Sequence, residues 1–182
     1  MIRLFVALEL PDDVRARLAG LAGGVPGARW VPQENLHLTL GFIGNVPESA
    51  FADIEGALAR VTASGFTLAI DGVGHFARGR APTQLWAGVA RNPALDHLQA
   101  RVEHALAGAG VAPEKRKFMP HVTLARLKGS PRGRVQDFIA AHGLLYVAPF
   151  AVESFALFSS FLGHAGAIYH AEARFPLDPA TA

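Results

Sequence analysis

Two short segments hold the residues best suited to chemistry. His37-Leu38-Thr39-Leu40 and His121-Val122-Thr123-Leu124 both have the form His-apolar-Thr-apolar and stand 84 positions apart. Side chains alternate across an extended chain, so each His shares a face with its Thr while the aliphatic residues point the other way. Each segment is therefore predicted as a strand that buries an aliphatic face and presents an imidazole and a hydroxyl to a cleft. Eight His and six Thr in 182 residues give about 0.3 chance occurrences of His-x-Thr. One copy alone reads as a polar strand face; a second copy with the same apolar partners points to a shared role.

Two imidazoles with hydroxyls beside them suit acid–base catalysis, one ring removing a proton and the other donating one. In-line displacement at phosphorus needs a proton-transfer group on each side, because attacking and leaving oxygens lie on opposite faces of the transition state. Thr39, Thr123 and an arginine would hold the non-bridging oxygens as negative charge develops. Arg126 lies three residues after Thr123. Strict alternation puts it on the opposite face, so reaching the cleft requires a bend or the length of the side chain.

Other chemistries have weaker support. Paired His also suggests a metal site, but there is no His-x-x-x-His, no His-x-His and no acidic cluster beside either motif. His97 and His104, seven apart on a predicted helix with Asp96, read as surface residues. His75, His142, His164 and His170 are isolated, and Ser159 and Ser160 lack a Gly-x-Ser-x-Gly setting. Gly72-Val73-Gly74 is not a phosphate loop, and no Gly-Lys-Ser/Thr occurs. No metal or cofactor is expected.

The elements that must position these residues follow from hydrophobic periodicity and turn chemistry. Strands are predicted at Ile2–Leu10, Leu36–Ile43, Phe66–Val73, Gln84–Val89, Met119–Leu127, Leu145–Pro149, Val152–Phe158 and Ala167–Phe175. Helices are predicted from Pro11 to Leu21, from Glu48 to Val61, from Asn92-Pro93 to about Gly108, and over Arg134–His142. Gly74–Pro82 reads as a loop. The alternation suggests duplicated α/β units in an α+β fold rather than a doubly wound parallel sheet. No stretch of linker composition divides the chain, so residues 1–182 are expected to form a single domain.

Composition bounds the function. At 51% hydrophobic the chain has ample core material. The absence of Cys excludes disulfide scaffolds, thiolate metal sites and cysteine nucleophiles. No apolar run approaches membrane-span length and the N-terminus lacks signal-peptide character, so a cytoplasmic protein is expected. The net charge of +2 hides a concentration. Pro113–Arg134 carries seven bases (Lys115, Arg116, Lys117, Arg126, Lys128, Arg132, Arg134) against Glu114 alone, or +6, leaving −4 elsewhere. That placement suits an anionic partner, although a solvated loop and helix face would look the same.

The motif blocks also resemble a known family. Arg3-Leu4-Phe5-Val6-Ala7-Leu8, Arg29-Trp30-Val31-Pro32, Glu34 through Gly44, Leu85-Trp86-Ala87-Gly88-Val89, Phe118 through Arg126, Ser159-Ser160-Phe161-Leu162, Tyr169 and Phe175-Pro176-Leu177 are similar to the 2H phosphoesterase superfamily. Within it they resemble the bacterial RNA 2′,3′-cyclic phosphodiesterases, also called 2′-5′ RNA ligases. Met119 departs from the pattern, since members often carry a basic residue before the proline.

The resemblance implies a bilobal α+β fold with pseudo-twofold symmetry and two antiparallel sheets lining a central groove. It implies hydrolysis of an RNA terminal 2′,3′-cyclic phosphate to a 2′-phosphate without metal or nucleotide cofactor. By position, His37 would donate a proton to the leaving 3′-oxygen and His121 would activate water. Thr39, Thr123 and Arg126 would hold the phosphate. Phe42 and Trp30 are candidates for base stacking or the pocket wall, core packing being the alternative for both. The expected partner is RNA with a cyclic-phosphate end, including tRNA halves or small cyclic nucleotides, met by a monomer away from membranes. The same site would also serve 2′-5′ ligation of tRNA halves, or non-catalytic binding of RNA ends.

Overall fold

The computed structural model describes residues 1–180; the last two residues of the expected domain, 181 and 182, lie outside it. The chain runs β1 (Ile2–Glu9), α1 (Asp12–Ala19), β2 (Ala28–Trp30), β3 (His37–Val46), α2 (Phe51–Ala59), β4 (Phe66–Arg78) and β5 (Ala81–Val89). It continues with α3 (Pro93–Gly108), β6 (His121–Leu127), α4 (Arg132–His142), β7 (Tyr146–Val152), β8 (Ser154–Gly163) and β9 (Gly166–Pro176). This is the expected α+β class.

All strands belong to one antiparallel sheet in the order β7-β4-β5-β6-β3-β1-β8-β9, with β2 beside β6. The resemblance implies two sheets, but the strands form one continuous sheet with two halves, because β3 and β6 pair across its middle. The halves meet between β3 and β6 through the single pair Leu38–Val122. From there β3 turns to β1, and the free side of β6 is taken by β2.

The lobes do not follow the chain in two consecutive halves. β7 pairs with β4, but after Glu153 the chain enters β8, which pairs with β1 at the other end of the sheet. The return of β8 and β9 to the first lobe covers the edge that β1 would otherwise expose.

The aliphatic residues of the motifs are buried as alternation requires. Leu38 and Val122 are fully enclosed, and Leu40 and Leu124 nearly so. They join a core that includes Leu95, Leu98, Val102 and Leu106 along one face of α3. That helix begins where expected, with the Asn92 side chain accepting from the Ala94 and Leu95 amides and Pro93 in the first turn.

The segment expected as a loop, Gly74–Pro82, instead extends β4 and β5 into a long hairpin that turns at Gly79, whose φ is +61°. Pro82 lies where β5 has β4 on one side only, since β6 pairs with β5 from Gln84 onward, and next to a register shift in the β4–β5 ladder, an edge position that tolerates proline. Gly74 has a packing role: an added Cβ would lie 2.3 Å from the Trp86 ring, which covers it. Trp86 in turn supports Phe76, with ring centroids 5.5 Å apart. Gly74→Ala is expected to destabilise the protein by about 1–3 kcal/mol through overpacking, measured by urea denaturation. Unchanged stability would contradict this account of the Trp86 contact.

Candidate functional site

The Leu38–Val122 pair sets the geometry of the site. Continuing its antiparallel register places His37 opposite Thr123 and Thr39 opposite His121. The two motifs are therefore related by a local two-fold axis that passes between them. Both rings are anchored in the same way. His37 Nδ1–H donates to the Asn35 carbonyl at 2.7 Å, and His121 Nδ1–H donates to the Met119 carbonyl at 2.6 Å. Each bond leaves Nε2 of the neutral ring as the acceptor. Because Met119 contributes its carbonyl and its side chain is 55% exposed, the departure at this position leaves the anchor intact. Asn35 is itself fixed by a bond from its side-chain nitrogen to the Ala167 carbonyl.

Matching bulges bring two further residues onto the same face. In β3 the register passes from Ala7–Thr39 to Val6–Gly41, leaving Leu40 as an extra residue. In β6 it passes from Trp86–Thr123 to Leu85–Ala125, leaving Leu124 extra. Each bulge buries two residues in succession, Leu40-Gly41 and Leu124-Ala125, and reverses the alternation beyond them. Phe42 and Arg126 therefore emerge on the face of the His and Thr residues, at equivalent places in the two lobes. This is the bend that strict alternation lacked. Arg126 is close enough for its charge to act on His37.

The two halves of the groove differ in character. Around His37 stand Phe5, Phe158 and Tyr169, with the Phe5 ring 4.9 Å and the Tyr169 ring 5.4 Å from the imidazole. Phe42 stacks on Phe5 at 6.2 Å and is 53% exposed, as a ring forming an open wall would be. Around His121 lie Phe76 at 5.0 Å and the polar pair Gln84 and Arg126. Gln84 Nε2 donates to Thr123 Oγ1 at 2.6 Å and lies 3.2 Å from His121 Nε2. The bond to Thr123 engages the hydroxyl oxygen and leaves its proton free to point into the groove. Sequence reasoning missed Gln84; its only signal was a lone amide next to the aliphatic run of β5.

Burial among aromatic rings pushes the His37 pKa below its ordinary value. The hydrogen bond to Asn35 acts in the opposite direction, and the charges of His121 and Arg126 lower the pKa further. His37 Nε2 lies 3.1 Å from Thr39 Oγ1, whose hydroxyl donates to the neutral ring.

Other sequence candidates lie elsewhere. Trp30 is half-buried against the Phe138 ring at 5.5 Å and packs on the core, so it is not part of the groove wall. The basic stretch is split. Arg132 and Arg134 are on α4, which buries Val135 and Phe138 against the core side of the sheet, opposite the histidine face. Ser159 is fully buried and donates to Glu172. Among the described residues no three His, Asp or Glu gather as a metal cluster, and no helix is long and apolar enough to cross a membrane.

With this geometry in place, comparison with known proteins is decisive for the family. Residues 8–86 and 88–169 match the family described as LigT like phosphoesterase. The chain belongs to that family. An Archaeoglobus fulgidus protein named RNA 2′,3′-cyclic phosphodiesterase is 33% identical, the match covering 92% of this chain and 96% of that protein. An Aeropyrum pernix protein of the same name is 37% identical, over 80% of this chain and 84% of its own length. The crystal structure of Escherichia coli LigT complexed with 3′-AMP superposes with a TM-score of 0.80 at 27% identity, covering 97% of this chain and 98% of that one. In this LigT-like chain the return of β8 and β9 closes the first lobe around His37.

The lowered His37 pKa has a consequence for stability. The unfolded chain binds the His37 proton more readily than the folded one, so stability increases with pH across the window below about 6.5 and is lost as pH falls through it. Denaturation across this range is expected to show that slope in the wild type and a shallower slope in His37→Gln. Identical slopes would contradict burial as the cause.

Proposed function

We propose that this chain hydrolyses the terminal 2′,3′-cyclic phosphate of RNA to a 2′-phosphate, acting as a cytoplasmic monomer whose single bilobal domain spans residues 1–182. The observation that carries this reading is the pair of imidazoles from opposite lobes. Each is fixed by a main-chain carbonyl at Nδ1 and has its Nε2 available for proton transfer. The names of the A. fulgidus and A. pernix relatives support the substrate class.

In this mechanism the water oxygen forms a bond to phosphorus as His121 Nε2 takes its proton. The P–O3′ bond breaks on the opposite side, and the 3′-oxygen takes a proton from His37 Nε2. Thr39, Thr123 and Arg126 hold the non-bridging oxygens, where hydrogen bonds and positive charge stabilise the developing negative charge. The ribose and base of the terminal nucleotide lie against the aromatic side of the groove, with Phe42 as the exposed stacking surface. Side chains supply every proton transfer and the charge stabilisation, so the scheme needs no metal or nucleotide cofactor. His37 is held toward its neutral form in the free protein, chiefly by burial. An arriving phosphate anion favours the imidazolium and offsets the repulsion from Arg126, so the substrate helps to set up the donor that protonates its own leaving group.

His37→Ala and His121→Ala are each expected to lower kcat on an RNA with a cyclic-phosphate end by about 10²–10⁴-fold while preserving the folded state. Full activity in both variants would refute the two-histidine scheme.

A further inference from the structure

The three-residue strand β2 places an unassigned arginine beside the site. Its register on β6 is Ala28–Leu127, Arg29–Arg126 and Trp30–Ala125. Directly opposed residues on neighbouring strands share a face. Trp30 and Ala125 turn toward the core, so Arg29 and Arg126 both emerge on the histidine face, and both are exposed. On the other side of Arg126 the opposed residue is Gln84. Arg29, Arg126 and Gln84 therefore form one cross-strand row beside Thr123.

Two like charges directly opposite one another are unfavourable in a sheet unless something neutralises them. The ion pairs among the described residues join Arg15 to Asp12, Arg116 to Glu114 and Arg174 to Glu9. Among the described residues neither Arg29 nor Arg126 has a carboxylate partner. A guanidinium pair without an acid suits a phosphate group, because each fork presents donors in the plane that phosphate oxygens occupy. The row leads outward from the reacting phosphate through Arg126, whose five donors are enough to serve two neighbouring anions.

We propose that Arg29, with Arg126, forms a second phosphate subsite for the internucleotide phosphodiester preceding the cyclic end. The assignment rests on the reaction proposed above and deepens it: the favoured substrate is an RNA strand rather than a cyclic mononucleotide. Trp30 contributes by anchoring β2 to the core, so that Arg29 is displayed from a fixed strand instead of a loop.

The test compares wild type with Arg29→Gln on two substrates, a 2′,3′-cyclic mononucleotide and a trinucleotide ending in a cyclic phosphate. The expected loss in kcat/KM is about tenfold for the trinucleotide, the size of one charge-assisted hydrogen bond, and under about twofold for the mononucleotide. A second arm measures binding of the trinucleotide 2′-phosphate over a range of salt concentrations. There the slope of log K against log salt should fall by about 0.7 in the variant, one single-strand phosphate contact. Equal losses on both substrates, an unchanged salt slope, or no trinucleotide binding by the wild type would overturn the subsite. Should the wild type hydrolyse neither substrate, the proposed reaction fails while the salt slope still decides for or against Arg29.

Discussion

The site depends on one strand contact. β3 and β6 touch through Leu38 and Val122, and that contact holds the two halves of the sheet together at the level of the histidines. A longer ladder would leave no groove, since the strands would run side by side with their polar faces on a flat surface. The β2–β6 ladder and helix α3, which packs on both β3 and β4, brace the same junction, so the two imidazoles keep a fixed relation. A single pair buried on the core side lets the strands diverge on either side of it. It also places His37 and His121 next to the axis that relates them.

Repetition builds the site, and departures from repetition give it direction. The carbonyls of Asn35 and Met119, the extra residues Leu40 and Leu124, and the two Thr residues recur at equivalent places. Phe42 and Arg126 occupy equivalent positions but differ in chemistry, as do Phe5 and Gln84, the residues opposed to them on β1 and β5. The surroundings of His37 are the rings of Phe5, Phe42, Phe158 and Tyr169, whereas around His121 the rings of Phe76 and Trp86 are joined by Gln84 and Arg126. That difference gives two otherwise similar imidazoles distinct surroundings.

Much of this was legible in the sequence because strand periodicity and the His-x-Thr repeat are strong local signals. The buried faces of β3 and β6, the cap at Asn92 and the His–Thr pairs were all visible as patterns. The bulges were not. Leu40-Gly41 and Leu124-Ala125 look like ordinary aliphatic strand, and only the register on neighbouring strands reveals the extra residue, so Arg126 read as facing away. Gly74–Pro82 read as a loop because its Gly, Arg and Pro content resembles a turn, whereas the strands continue past the end of their neighbour. Gln84 and the Arg29–Arg126 opposition arise from cross-strand pairing between distant segments, which no local pattern encodes.

The central claim is that the P–O3′ bond breaks while the 2′-oxygen stays on phosphorus. The position of the phosphate in the product tests it most directly. A defined oligoribonucleotide with a terminal 2′,3′-cyclic phosphate would be hydrolysed by the wild-type protein and the end group identified by phosphorus NMR. The account predicts a 2′-phosphate with a free 3′-hydroxyl as the product. A 3′-phosphate, a mixture of the two, or an unreacted cyclic end would contradict it.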